Sequence, residues 1–139
     1  MAPCEFYADD PQRVMAFYAA VFRWSFLRRR ASDSWWVSCG PITAPQIDGV
    51  LKKRAAGERG HLGALAVSAF DVTIERIRSH GGRIITPVSA SMRNARQVYA
   101  IDPEGNSFRL LELATMPVAL PILSLPVPVR VLSSYAVTA

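Results

Sequence analysis

The chain has 139 residues, enough for one domain with a buried core. Half of them are hydrophobic and 19% are charged, a balance that excludes global disorder. No apolar run escapes charge and proline for long enough to cross a bilayer as a helix. The first residues carry neither a basic leader nor an apolar core, and two cysteines are too few for a disulfide scaffold. A cytoplasmic location is therefore expected, with Cys4 and Cys39 reduced and packed as small hydrophobes. The net charge of +5 gathers in Arg28-Arg29-Arg30 and Lys52-Lys53-Arg54. Such clusters can follow a phosphate backbone, but neither belongs to a binding motif nor alternates with aromatics. Solvated strand ends are the simpler account, so neither nucleic acid nor membrane is expected as a partner.

Residues 3–8 read as a strand with Cys4, Phe6 and Ala8 on one side and Glu5 and Tyr7 on the other. Asp10-Pro11 then signals a helix start, the carboxylate accepting from free amides and the proline fitting the first turn. Val14, Phe17, Tyr18, Val21 and Phe22 recur at helical spacing and form one apolar stripe. Three strand-like runs follow at 24–30, 34–39 and 47–53, separated by Ala31-Ser32-Asp33 and Gly40-Pro41. A small polar connection occupies 55–60.

The same order then returns. Residues 62–68 form a strand, Asp71 is positioned to cap a helix running to His80, and Gly81-Gly82 ends it. Strands at 83–86, 97–101 and 107–113 complete the round, the last two joined by the turn Asp102-Pro103-Glu104-Gly105-Asn106. Two rounds of one pattern, about 3–54 and 61–113, indicate an internal repeat and an α+β fold of two βαβββ modules. Residues 114–139 differ: they are apolar, with Pro117, Pro121, Pro126 and Pro128 and a single charge at Arg130. Those prolines argue against a regular helix or a central strand. Such an extension either lies across the body of a subunit or stays disordered.

Tyr7-Ala8-Asp9-Asp10-Pro11-Gln12-Arg13, with Ala16-Phe17-Tyr18 and Val21-Phe22-Arg23-Trp24, resembles the opening of the vicinal oxygen chelate superfamily. Gly81-Gly82-Arg83-Ile84-Ile85-Thr86-Pro87 and Asp102-Pro103-Glu104-Gly105-Asn106-Ser107-Phe108 resemble its second half, in the same order. That superfamily includes glyoxalase I, bleomycin-resistance proteins and extradiol dioxygenases. The resemblance implies curved sheets around a cavity, frequent homodimers, and in active members a divalent metal held by two side chains from each half.

Matched to that pattern, the metal-ligand positions look poor. They fall at Pro3, at Leu62 and at Arg109, with the fourth open between Gln46, Asp48 and Val50. His61 is one residue from the expected site, a change of face unless a bulge intervenes. His80 reads as a solvent-facing helix-end residue. No metal or other cofactor is expected.

A cavity without metal would be lined, by alternation, by Glu5, Tyr7, Leu62, Ala64, Ala66, Ser107, Arg109 and Leu111. Trp35 or Trp36 and Tyr99 would supply an aromatic wall. The binding residues expected are Glu5, Tyr7, Trp36, Leu62, Ala64, Tyr99 and Arg109, suited to a flat or anionic small molecule. Arg109 has a second reading, as an ion-pair partner of Glu5. No serine or cysteine is matched to a histidine base. A metal-dependent lyase, isomerase or dioxygenase is the alternative if the register is misread.

Overall fold

The computed structural model describes residues 4–40, 47–91 and 95–113, and the backbone of 131–132 and 135–138. The expected ligand position at Pro3, the candidate Gln46 and the stretch 114–130 lie outside the described residues. Strand β1 is Cys4–Ala8, followed by helix α1, Pro11–Phe22. Asp10 caps that helix as anticipated, its carboxylate accepting from the Arg13 amide at 3.3 Å. The helix closes on Arg23, whose left-handed φ of 59° turns its amide back to the Ala19 carbonyl at 3.1 Å. Strands β2 (Ser25–Arg28), β3 (Ser34–Ser38) and β4 (Gly49–Lys53) complete the first module.

The second module runs β5 (His61–Val67), α2 (Phe70–Ser79), β6 (Arg83–Ile84), β7 (Ser89–Ala90), β8 (Arg96–Ile101) and β9 (Ser107–Glu112). Helix α2 starts two residues earlier than its sequence suggests: Ala69 is the cap and Asp71 lies inside the first turn. There Asp71 pairs with Arg96 through both nitrogens at 3.1 Å, so its carboxylate serves a cross-element contact instead of the helix end. Short β7 is an addition to the expected pattern.

The strands form two mixed sheets. The first has the order β1-β4-β3-β2, with β1 and β4 parallel. The second repeats it as β5-β9-β8-β6, with β7 also pairing β8, and is extended by β10 (Val131–Leu132) and β11 (Tyr135–Thr138). Strand β11 lies parallel to β5, with Tyr135 opposite Ala64 and Thr138 opposite Val67. It thus sits between two strands, contrary to the reading from proline content. The reason is local: the last proline is Pro128, upstream of both strands. No described helix is long and apolar enough to cross a membrane.

One core joins the modules. Tyr18 of α1 is stacked on Trp24 at 4.7 Å, meets Phe6 edge-on at 5.4 Å and approaches Phe108 of β9 at 6.2 Å. Its hydroxyl donates to buried Asp102 at 2.8 Å. Leu62, Leu65, Val98, Phe108 and Leu110 from the second sheet share that core with Phe6, Val37 and Leu51 from the first.

The β8–β9 turn clasps the first module. Asn106, fully buried, accepts from the Tyr7 and Gly60 amides at 3.0 and 2.7 Å and donates to the Tyr7 carbonyl at 2.7 Å. Glu104 accepts from the Asp9 amide at 2.7 Å, from Arg54 at 3.2 Å and from Arg13. Gly60 is where β1 crosses the start of β5: a Cβ there would lie 2.6 Å from the Phe6 Cα. Backbone cannot yield as a side chain can. Gly60→Ala is expected to lower stability by about 1–3 kcal/mol, read as a fall in the urea midpoint at constant slope.

Candidate functional site

Alternation along each strand divides both sheets into a core face and an open face. On the first sheet the open face carries the row Glu5, Val50, Trp36 and Leu27, one residue from each strand in register. Tyr7, Lys52 and Ser34 form the next row. Glu5 is bound on both oxygens, by Lys52 at 3.1 Å and by the Tyr7 hydroxyl at 3.0 Å. Hydrogen bonds from Lys52 and then Tyr7 hold its pKa below the usual carboxylate value, while the Glu5 carboxylate raises the Tyr7 phenol. Glu5 is thus kept as an anion. Its partner is Lys52, in place of the Arg109 weighed from sequence. Trp36 lies beneath the Arg29 guanidinium, 4.3 Å from its ring centre, with Leu27 69% exposed beside it. Trp35, on the opposite face, packs against the core.

On the second sheet the open face carries three rows. The first is Arg83, Ile101, Ser107 and His61; the second Tyr99, Arg109 and Ala64; the third Gln97, Leu111 and Ala66. Tyr99 is exposed, whereas Ala64 is buried. The Arg109 guanidinium reaches Gln97 at 3.4 Å. Here one expectation is corrected. The pairing of β5 with β9 shifts between His61 and Ala64, and Gly63 takes a φ of +81°, open to glycine at little cost. That bulge exchanges the faces of its neighbours. Leu62, expected among the ligand-binding residues, turns into the core and lines a void of about 20 Å³ with Phe6, Trp24 and Leu65. His61, expected on the helix side, emerges on the open face with Nδ1 2.9 Å from the Ser107 hydroxyl. A serine–histidine contact therefore exists where sequence matching found none; the glycines at 60 and 63 were its only signal.

The expected site residues thus fall into two groups. Glu5, Tyr7 and Trp36 share the first sheet, while Ala64, Tyr99 and Arg109 share the second. A divalent metal, which the superfamily pattern implies, does not fit the described donors. The bulge does bring one donor, His61, onto the open face in place of Leu62, but Arg109 places a guanidinium where a carboxylate is needed, and the open-face carboxylate of β1 is bound to an ammonium. Asp48 is engaged with the Cys39 amide at 2.7 Å. Among the described residues no three His, Cys, Asp or Glu side chains converge. Burial, with Glu5 second, pushes the Cys4 thiol up to about 11, which leaves it a poor ligand and nucleophile.

The doubled βαβββ order and its turns now have a match. The family model for the glyoxalase-like domain covers residues 4–111. The chain belongs to the glyoxalase-like domain family. Its likeness to the vicinal oxygen chelate superfamily extends to solved structures. A glyoxalase I variant from Zea mays superposes with a TM-score of 0.63 at 23% identity, over 84% of this chain and 46% of that one. A glyoxalase/bleomycin resistance protein/dioxygenase family enzyme from Burkholderia phytofirmans PsJN gives 0.61 at 15% identity, over 79% and 95%. The fosfomycin resistance protein FosX from Mesorhizobium loti gives 0.59 at 18%, over 82% and 92%. At these identities the likeness shows the fold alone, and the chain spans less than half of the maize protein. No curated protein matches the sequence.

Proposed function

We propose that this glyoxalase-like protein binds a small aromatic or anionic organic molecule on its open sheet faces, without metal, as a cytoplasmic homodimer. The observation that carries the reading is the row Tyr99–Arg109–Ala64. It sets an aromatic ring, a guanidinium and a small side chain side by side, as a flat anion requires. Trp36 and Leu27 offer a second apolar wall on the other sheet. Each sheet has one face uncovered by the described helices, and a second copy is the simplest means of enclosing both. The rigid carboxylate at Glu5 then serves to orient, since it is already held by Lys52 and Tyr7.

The test is a thermal-shift and calorimetric screen with aromatic carboxylates. A ligand that binds only the folded state raises the apparent midpoint. Arg109→Ala is expected to weaken a hit by about tenfold or more, the loss of one charge-assisted contact. Stoichiometric divalent metal in protein purified without chelator, lost on His61→Ala, would overturn the reading in favour of a metal-dependent lyase or dioxygenase.

A further inference from the structure

A second recess adjoins the Tyr99–Arg109 row, sharing Arg83 and Ile101 with the open face. It is an open cleft of about 330 Å³ at the end of the second sheet, where the start of α1, the connection before β5 and the β8–β9 turn meet. Four arginines line it: Arg13, Arg54, Arg59 and Arg83. Their charges are not equally available. Arg54 is nearly buried and spends its nitrogens on Asp9, Glu104 and three carbonyls. Arg13 uses one nitrogen, on Glu104 and the Pro103 carbonyl. The guanidinium groups of Arg59 and Arg83 make no hydrogen bond or ion pair among the described residues, and both side chains are exposed.

The carboxylates of the cleft cannot neutralise them. Glu104 is saturated by Arg13, Arg54 and two backbone amides. Asp102 is turned inward to the Tyr18 hydroxyl and the turn amides. Asp9, the exposed acid, is paired with Arg54 at 2.9 Å. Arg59 is also positioned: a Cβ on Gly105 would stand 3.3 Å from its Nε, so the guanidinium rests along the turn because residue 105 has no side chain.

We propose that this cleft is an anion site for a small phosphate-bearing molecule, bordering the open face of the second sheet at Arg83 and Ile101. Two guanidinium groups with open donors, in a lining of four arginines and three acids, suit a phosphate, which carries about −1.5 to −2 at neutral pH and three acceptor oxygens. A single carboxylate offers one charge and fills one fork. The cleft exceeds one phosphate in volume, so a diphosphate or an organic phosphate fits better than the bare ion.

Calorimetric titration of the full chain with inorganic pyrophosphate, phosphate and succinate tests this, at about 0.15 M ionic strength where non-specific attraction is screened. Saturable one-to-one binding of pyrophosphate is expected. It should weaken about tenfold or more in Arg59→Ala/Arg83→Ala, and persist in Arg30→Ala/Arg76→Ala, which has the same net charge. All four side chains are exposed, so neither variant disturbs the core. Three results would overturn the proposal: no saturable binding, equal loss in both double variants, or succinate binding as tightly as pyrophosphate.

Discussion

Asn106→Ala is expected to destabilise the fold by about 3–5 kcal/mol, since each buried group left unpaired costs about 1–3 kcal/mol. The Asn106 amide oxygen accepts two backbone amides, from Tyr7 and Gly60, and its nitrogen donates to the Tyr7 carbonyl and to Asp102. Alanine supplies none of these and is too short to admit a well-bonded replacement. Equilibrium urea unfolding measures the loss, with the slope unchanged if the native fold is retained. Asn106→Asp is a sharper probe. It keeps the acceptor but sets a second carboxyl where the nitrogen lay 2.9 Å from the Asp102 Oδ2. Its deficit should shrink as pH falls and one of the two acids takes a proton.

Glu104→Ala is expected to cost about 2–4 kcal/mol, because it removes the buried one of the two carboxylates of Arg54 and leaves only exposed Asp9 to pair it. The Glu104 side chain is 1% exposed and that of Arg54 11%, so solvent screens this pair far less than the other ion pairs among the described residues. Burial alone would raise the Glu104 pKa, but the Asp9 amide and Arg13 together bring it below 4.5. The folded protein therefore releases this proton more readily than the unfolded chain. Stability from Glu104 is complete above its unfolded value and is lost as pH falls through the folded one. Asp102 has the opposite sign. Burial raises its pKa above the ordinary aspartate value, so its contribution is largest in acid and is lost as pH rises through the raised, folded value. Urea midpoints between about pH 3 and 6 should show a shallower acid-side fall in Glu104→Gln than in the parent.

What sequence makes visible here is what depends on neighbours in the chain. The Asp10-Pro11 start of α1, the doubled strand order and the Asp102–Asn106 turn all rest on contacts within a few residues. Strand alternation likewise placed Glu5, Tyr7 and Arg109 on open faces. The bulge at Gly63 lay beyond that reach, because a period of two has no means of announcing an extra residue. One irregularity therefore moved Leu62 inward and His61 outward together. Asp71 shows the same limit from another side: its cap geometry was plausible, yet Arg96, 25 residues away, competes for the carboxylate. The turn acids Asp102 and Glu104 were legible as a turn. Their partners in the first module lie up to 95 residues away, so their role as a clasp was not.

The shared core also sets the order in which this protein can be made. Synthesis delivers Phe6, Tyr18 and Phe22 first, whereas Phe108, which closes over Tyr18 and Phe22, arrives near the end of the described body. The Tyr18 hydroxyl waits as long for Asp102. A nascent first module therefore leaves the ribosome with part of its aromatic ridge uncovered. Slow translation anywhere in the second module would prolong exposure of that ridge, until Phe108 and Asp102 arrive to cover it.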